Sequence, residues 1–419
     1  MYLTLTNRIK NLTKEQYNLL KQMCEYSNNL YNVALYNIRQ YYFNEKKFLT
    51  YESNYHECKE NENYKLLQAG VAQQTIKVVD RSFKSFFNLI QKAKKGEYRF
   101  QDIKIPHYQE KGTVYPLILS TNAISIKNGY FKIPMSREFS KLHPKQEIKI
   151  KFPNHIADKK IKEVRILPVN KGQYFKIQYV YEQEIENKNL NNDNWLSIDI
   201  GLENFATCVS NVSAPFIIDG RKLKSINQFW NKEKARLQAI KDKQGIKGTT
   251  KRINKITLNR NFKTKDYINK SARYIVNFCI DNNIGKIICG YNADFKRNIN
   301  ISKITNKQFT QISFGDLREA ISNLCERYGI EYIEQEESYT SKASFLDLDN
   351  IPVFNPNDET PKTFNGKRIK RGLYKSAEGI VINADINGAL NIMRKSKQKF
   401  DFEQLCKRLL NSPVRIRIV

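Results

Sequence analysis

The order of apolar segments in the second half of the chain constrains its fold more than any other feature. Three apolar runs lie close together, at Trp195–Asp199, Phe205–Val209 and Phe216–Asp219. Two later runs, Lys286–Cys289 and Ile330–Glu336, flank a segment whose apolar residues recur at helical spacing. This order predicts three strands in a meander, followed by strands that alternate with helices.

The first half of the chain has two different patterns. Residues 13–94 carry apolar residues at helical spacing and begin with a capping-box sequence at Thr13–Gln16. Residues 95–190 show the alternation of strands, with a hairpin signal at Asn128-Gly129. We therefore expect a small antiparallel β-barrel, completed by residues 1–12, into which the helical segment is inserted.

The charge balance indicates an anionic partner. The chain has 419 residues, with 71 Lys and Arg against 42 Asp and Glu, and its formal net charge is +29. Such a surplus opposes compaction unless an anion neutralises it, and nucleic acid is the usual anion of this kind. No apolar run approaches the roughly 20 residues that a membrane-spanning helix requires. We therefore expect nucleic acid, and no membrane, as the partner.

Cysteine and histidine usage limits the chemistry that the chain supports. The seven cysteines are scattered and none forms a Cys-x-x-Cys pair, which favours a reducing compartment over a disulfide framework. The N-terminal sequence lacks the apolar core of a secretory signal, so we expect a cytoplasmic location. All four histidines lie within the first 155 residues. Chemistry in the second half therefore depends on carboxylates, hydroxyls or lysines.

Two aspartates stand where a strand and a helix of the predicted sheet meet. Asp199 ends the first strand of the meander, and Asp385 opens the last predicted helix. Each has a plain alternative, because Asp199 suits a turn and Asp385 is favoured by the helix dipole. The element order is that of an RNase H-like sheet, in which such acids converge. Converging carboxylates are what phosphodiester cleavage by two Mg²⁺ ions requires.

Three ordered motifs resemble those of the TnpB (OrfB) proteins of insertion sequences, which are relatives of the type V CRISPR effectors. Residues 199–206, Asp-Ile-Gly-Leu-Glu-Asn-Phe-Ala, resemble the opening of their RuvC domain. Tyr339–Lys342 resembles their Tyr-Thr-Ser-Lys element, and Asn383–Ile392 resembles their closing segment. Four further residues resemble the helical recognition region of the family, namely Gln73, Gln74, Phe83 and Phe87.

The resemblance implies an RNA-guided DNA endonuclease with a multidomain α+β and α/β fold. Its wedge domain would be the barrel of residues 1–12 and 95–190, and its helical recognition insert residues 13–94. An RNase H-like RuvC nuclease domain would span residues 191–395, with a C-terminal tail at 396–419. The implied partners are a guide RNA and double-stranded target DNA, in a prokaryotic cytoplasm. The implied cofactor is a pair of Mg²⁺ ions held by Asp199, Asp385 and a glutamate.

The glutamate that the family carries at the end of the fourth strand is missing, because Gly290 stands there. The fifth strand ends in Glu336 and Glu337, and either acid would reach the metal from the neighbouring strand. The two point to opposite faces, so only one belongs in the site, and Glu337 is slightly favoured. The alternative is a guide-directed DNA-binding protein that does not cut.

The family's zinc ribbon is also altered. Residues 338–382 contain neither cysteine nor histidine. Structural zinc sites require nitrogen and sulfur ligands, so we expect a degenerate loop without zinc.

Two basic segments are candidates for contact with phosphate. Residues 221–273 hold 17 Lys and Arg against three acids in a helical pattern. They are interpreted as a surface that follows the backbone of a guide–target duplex, with Lys251 and Arg252 among its cations. The second segment is a loop beside the nuclease cleft, with cations at Lys367, Arg368, Lys370 and Arg371. A solvated helical face and a disordered loop are the respective alternatives.

Overall fold

The computed structural model describes residues 1–292, 310–355, 360–409 and 413–419, without the side chains of residues 408 and 409. The chain divides between Gln183 and Glu184 into two compact units. Within the described residues, no helix is both long enough and apolar enough to cross a membrane.

The first unit combines helices with two antiparallel sheets. Its described helices are Lys14–Glu45 (α1), Tyr51–Cys58 (α2), Glu62–Leu66 (α3), Ala69–Lys94 (α4) and Arg137–Leu142 (α5). Its described strands are Tyr2–Arg8 (β1), Leu117–Ser120 (β2), Ser125–Lys127 (β3), Tyr130–Lys132 (β4), Lys149–Lys151 (β5), Ile161–Val169 (β6) and Tyr174–Glu182 (β7).

The long helices of this unit form where capping and apolar spacing agree. Thr13 Oγ1 accepts a hydrogen bond from Gln16 N at 3.1 Å, and Gln16 Oε1 accepts one from Thr13 N at 3.1 Å. This reciprocal capping box satisfies two backbone donors and begins α1. The apolar face of α4 buries Phe83, which contacts Phe87 at a ring separation of 6.1 Å. These aromatic residues, which resemble a recognition region, therefore form helix–helix core.

The prediction of a closed β-barrel is wrong. The described strands of this unit form two open sheets, one in the order β1-β7-β6-β2 and one in the order β3-β4-β5. The strands β3, β4 and β5 have three residues each, and both residues that flank Ile126 in β3 are exposed. Strands this short carry too few ladder hydrogen bonds to join β2 and close the sheet onto β1.

The second unit is built on one six-stranded sheet. Its described strands are Asn191–Asp199 (β8), Asn204–Ser210 (β9), Phe216–Asp219 (β10), Ile284–Tyr291 (β11), Glu331–Glu336 (β12), Lys367–Lys370 (β13), Leu373–Lys375 (β14), Val381–Asn383 (β15) and Val414–Ile416 (β16). Its described helices are Arg221–Lys243 (α6), Lys251–Asp281 (α7), Phe314–Tyr328 (α8), Ala384–Lys395 (α9) and Phe402–Leu409 (α10).

The strand order in this sheet is β12-β11-β8-β9-β10-β16. The strands β8, β9 and β10 form an antiparallel meander, and β11 and β12 join it in parallel beside β8. The carboxyl ends of three parallel strands therefore meet at one edge. The polar run at residues 191–194, which looked like a linker, belongs to β8, where Asn191 N donates to Asn283 Oδ1 at 3.0 Å.

The two faces of the sheet carry separate cores, and the period-2 alternation of β8 assigns its side chains between them. Leu196 and Ile198 pack in the core formed with α7 and α8, whereas Trp195 packs with α9. Ser197 faces α9 as well, since its Oγ donates to Ala389 O at 2.6 Å. Two residues further along, Asp199 lies on this same α9 face.

A three-stranded antiparallel sheet, β13-β14-β15, leads directly into α9. The Asn383 side chain at the end of β15 accepts hydrogen bonds from Asp385 N at 2.9 Å and Ile386 N at 3.2 Å. This N-cap fixes where α9 begins and places Asp385 in its first turn.

Candidate active site

The carboxylate of Asp199 is the centre of the candidate site. It is partly buried at the end of β8, and no described residue donates a hydrogen bond to it or forms an ion pair with it. Burial raises the pKa of Asp199 well above its usual value, and the nearby charges of Glu337 and Asp385 raise it further. Arg368 opposes this rise. A carboxylate in these surroundings requires a cation to stay ionised.

Glu337 reaches this site from the second strand away. The residue follows β12, where its N donates to Tyr291 O at 3.2 Å, and its own carbonyl accepts from Thr340 Oγ1 at 2.8 Å. Between Glu337 and Asp199 lies β11, which has Gly290 at the level of the site. A Cβ atom at position 290 would collide with Glu337 Oε2 and would lie 2.7 Å from Ile392 Cδ1.

The glutamate at 337 therefore occupies the space that a side chain at position 290 would fill. Burial raises the pKa of Glu337 to about 7, with Arg318 acting against the rise. A buried carboxylate beside Asp199 adds a second negative charge to the same small volume.

Glu336 has a different set of contacts. Its Oε2 forms an ion pair with Lys395 Nζ, and its Oε1 accepts from Ser338 N at 2.6 Å. Lys395 is almost fully buried and also donates to Ser338 O at 3.0 Å. Burial acts to raise the pKa of Glu336, but the contacts with Lys395 and Ser338 outweigh it and the pKa is lowered. The structure thus places Glu336 in an ion pair at the end of α9, outside the lining of the candidate site.

Asp385 is engaged by two side chains of opposite character. Its Oδ1 lies 3.2 Å from Arg368 Nη2, and its Oδ2 accepts from Asn204 Nδ2 at 2.5 Å. Asn204 Oδ1 in turn accepts from Arg415 Nη2 at 2.8 Å. The asparagine of the first motif therefore orients the aspartate of the last motif.

The asparagines of the closing motif have a different role. Asn387 Nδ2 donates to Ala343 O at 2.7 Å, and its Oδ1 accepts from Phe345 N at 2.9 Å. Asn391 Nδ2 donates to Thr340 O at 3.0 Å and to Ala343 O at 2.7 Å. Both asparagines are buried, so they hold the segment after Glu337 against α9. This segment carries the Tyr-Thr-Ser-Lys element, which explains why the two motifs occur together.

The predicted basic residues lie in different places. Arg368 and Arg371 line the candidate site, and Arg371 Nη2 lies 3.1 Å from Glu203 Oε1. Lys367 and Lys370 are exposed on the same hairpin but do not line the site. Lys251 and Arg252 are exposed in the first turn of α7. The structure therefore brings two of the six predicted cations to the three acids.

Two site residues had no recognisable role in the sequence. Asn204 belonged to a motif without an assigned function, and Arg415 lies in the C-terminal tail. Arg415 reaches the site because β16 pairs in parallel with β10, which also places it 3.6 Å from Asp219 Oδ1. A three-residue strand whose neighbour is almost 200 residues away leaves no local signal.

The site is a cavity of about 930 Å³ whose potential metal ligands are all oxygen atoms. Asp199, Glu337 and Asp385 line it, and hard cations such as Mg²⁺ prefer such ligands. Within the described ranges, no group of three or more His, Cys, Asp or Glu is arranged to hold a metal ion as it stands. Asp385 is instead paired with Arg368. The residues fit Mg²⁺ by ligand type and by their uncompensated charge, while the guanidinium supplies the compensating charge in this arrangement.

The loop that replaces the zinc ribbon is organised by a carboxylate. Asp349 is buried, and its Oδ2 accepts from Ser344 N at 2.7 Å. Its Oδ1 accepts from Asn365 Nδ2 at 2.7 Å, and Asn365 N donates to both oxygens. Tyr374 adds a bond from its hydroxyl to Lys342 O at 2.7 Å. These bonds connect the two ends of the loop to β14.

Comparison with known proteins places the chain among relatives of one family. A family model described as a probable transposase of the OrfB_IS605 type matches residues 178–296, and one described as a Cas12f1-like TNB domain matches residues 314–392. These matches confirm the resemblance to the TnpB (OrfB) proteins. No curated protein matches the chain by sequence.

Two solved structures illustrate the fold. The protein in the cryo-EM structure of the Cas12f1–sgRNA–target DNA complex matches with a TM-score of 0.59 and 15% identity, over 91% of this chain and 83% of that chain. The mini-RNA-guided endonuclease CRISPR-Cas_phi3 matches with a TM-score of 0.47 and 11% identity, over 96% of this chain and 94% of that chain. The chain thus has a mixed α/β multidomain fold resembling that of the Cas12f1 effector.

Proposed function

We propose that the protein is an RNA-guided DNA endonuclease of a transposable element, whose second unit is a RuvC-type nuclease domain. One observation carries this proposal: Asp199, Glu337 and Asp385 line a single cavity at the edge where three parallel strands end. Glu337 takes the place of the acid that is missing at Gly290, which supports an active site over a disabled one.

The proposed partners are a guide RNA and double-stranded target DNA. The related Cas12f1 protein is solved as a complex with a single-guide RNA and target DNA. The net charge of +29 on this chain supports the same kind of anionic partner. In this proposal base pairing with the guide reads the target, and the cations of the chain contact phosphates.

Asp199, Glu337 and Asp385 would hold the Mg²⁺ ions. When bound, Mg²⁺ activates a water molecule and stabilises charge on the phosphodiester oxygens. The chain's own residues bind and orient the substrate. Arg368 leaves Asp385 to pair with a substrate phosphate, and Arg371 supports it from the same hairpin. Asn204 then keeps the Asp385 carboxylate oriented through its hydrogen bond.

A cleavage assay tests this proposal. The protein is expressed with its native downstream DNA, purified with bound RNA, and given Mg²⁺ and plasmids that carry the target beside randomised bases. We expect a subset of plasmids defined by the flanking bases to be cut. The variant Asp199→Ala should abolish the loss, whereas Asp193→Ala, an exposed change on the same strand, should not. Equal cutting by both variants would contradict the proposed site.

The second candidate function is guide-directed DNA binding without cleavage. The ion pair between Arg368 and Asp385 favours it, because this cation already compensates one of the three acids. In the same assay, this function predicts selective plasmid retention by the protein with no cut at any Mg²⁺ concentration.

A further inference from the structure

A second cavity lies between α6 and α7, the two helices of the basic segment. Its volume is about 380 Å³, and it shares no lining residue with the candidate active site. Its lining includes the aromatic rings of Phe229 and Trp230, the cations Arg260 and Lys263, and the amide of Asn259. No carboxylate is found among the described residues that line it.

The two aromatic residues differ in how they are held. Trp230 is fixed, because its Nε1 donates to Thr257 Oγ1 at 3.1 Å and Arg260 lies 5.4 Å from its ring centroid. Lys234 Nζ lies 4.9 Å from the same centroid. Phe229, in contrast, is 67% exposed at the cavity. An exposed phenylalanine on so polar a helix leaves apolar surface that a ligand would cover.

The two cations also differ. Arg260 is used within the fold, where its Nε donates to Asn227 Oδ1 at 2.7 Å and its guanidinium contacts Gln311 O. Lys263 is exposed and forms neither a hydrogen bond nor an ion pair with any described residue. The surrounding segment, residues 221–273, has 17 Lys and Arg against three acids. The ligand is therefore expected to combine a flat apolar ring with a negative charge.

We propose that this cavity binds an unpaired nucleotide of a single-stranded nucleic acid, with its base on Phe229 and its phosphate near Lys263. A base within a duplex is stacked on both faces and cannot enter a concave site, whereas an unpaired base can. Stacking on an aromatic ring tolerates any base, and a lysine tracks the backbone in the same sequence-independent way. The inference rests on the proposed nucleic-acid-binding function, but it does not depend on cleavage.

Binding measurements with the full-length protein, freed of RNA at high salt, test this inference. The probes are a 15-nucleotide dT strand, a 15-nucleotide rU strand and a 15-base-pair DNA duplex. The variant Phe229→Ala should weaken single-strand binding about tenfold, which is the scale of one lost base–aromatic stack. Phe229→Tyr should retain it, and Lys263→Gln should lower the salt dependence by about one phosphate contact.

The matched control is Ile240→Ala, which removes another exposed apolar side chain from α6 but does not line the cavity. It should bind all three probes like the wild type. A preference for dT or for rU identifies which strand supplies the nucleotide. The inference is overturned if Phe229→Ala binds single strands as the wild type does, or if it loses duplex binding equally. Phe229-dependent binding by a protein that never cuts would contradict only the nuclease proposal.

Discussion

At the scale of single residues, the glycine at position 290 and the glutamate at position 337 depend on each other. A Cβ at 290 would collide with Glu337 Oε2, so the two positions cannot both carry an acid directed at Asp199. Alternation along β12 gives the same result. Ile333 packs on the α9 face, and Glu337, four residues later, lies on that face too.

The variant Gly290→Ala tests this dependence. The added methyl group should displace the Glu337 carboxylate and lower the cleavage rate about 10²-fold, the scale expected for a misplacement of about 1 Å. Gly315→Ala is the control, because a Cβ there would meet no atom within 4 Å. Guide retention is measured alongside. A Gly290→Ala protein that cuts at the wild-type rate would show that position 290 does not constrain Glu337.

Glu336 should matter for stability and not for cleavage. The variant Glu336→Gln leaves the nearly buried Lys395 ammonium without its anionic partner. We expect the free energy of unfolding to fall by about 2 kcal/mol, less than for a fully buried pair because Glu336 is partly exposed. Urea unfolding measures this change. Unchanged stability together with lost cleavage would assign Glu336 to the site in place of Glu337.

At the scale of elements, the loop between Ser338 and α9 is held by hydrogen bonds to three side chains, Asp349, Asn387 and Asn391. The donors and acceptors that meet Asp349 come from both ends of the loop. The loop thereby keeps Glu337 at one end, and Asp385 at the other, beside the same cavity.

The variant Asp349→Ala tests the carboxylate's role in this loop. It leaves the N–H groups of Ser344 and Asn365 without their acceptor, and we expect a loss of about 2 kcal/mol in the free energy of unfolding. Amide hydrogen exchange should show faster exchange at these two residues. Glu378→Ala, an exposed change in the same region, should have no effect. Unchanged exchange at Asn365 in Asp349→Ala would contradict the role given to this carboxylate.

The elements of the second unit were predictable because each strand and helix has its own apolar period. The segments ending at Asp199 and opening at Asp385 lie where the sequence placed them. The barrel prediction failed because alternation identifies strands but not which edges join. The links from Asn204 to Asp385 and to Arg415 were not predictable either, since their partners lie about 180 and 211 residues apart. The sequence also left Glu336 and Glu337 open, although counting from Ile333 would have separated them.

At the scale of the whole molecule, the positive charge is the dominant property. The net charge of +29 is spread over a chain that divides into two units, and the basic segment of residues 221–273 belongs to the second. Phosphate contacts of this kind release counterions from nucleic acid, so affinity falls steeply as salt rises.

Salt dependence tests this property directly. Between 50 and 200 mM salt, duplex affinity should fall about 10³-fold or more if at least six phosphates are contacted. The double variant Lys251→Gln and Arg252→Gln should reduce the logarithmic slope by about two. Lys141→Gln, whose lysine is paired with Glu138 at 3.0 Å, should leave the slope unchanged. An unchanged slope in the double variant would exclude these two cations from the interface.

The central claim is that Glu337 supplies the acid that is absent at Gly290. The most direct measurement compares target cleavage by Glu337→Gln and Glu336→Gln, each purified with its guide RNA at saturating Mg²⁺. The account predicts that Glu337→Gln retains RNA and binds target but does not cut, while Glu336→Gln cuts at close to the wild-type rate once folded. Wild-type cleavage by Glu337→Gln would contradict the account.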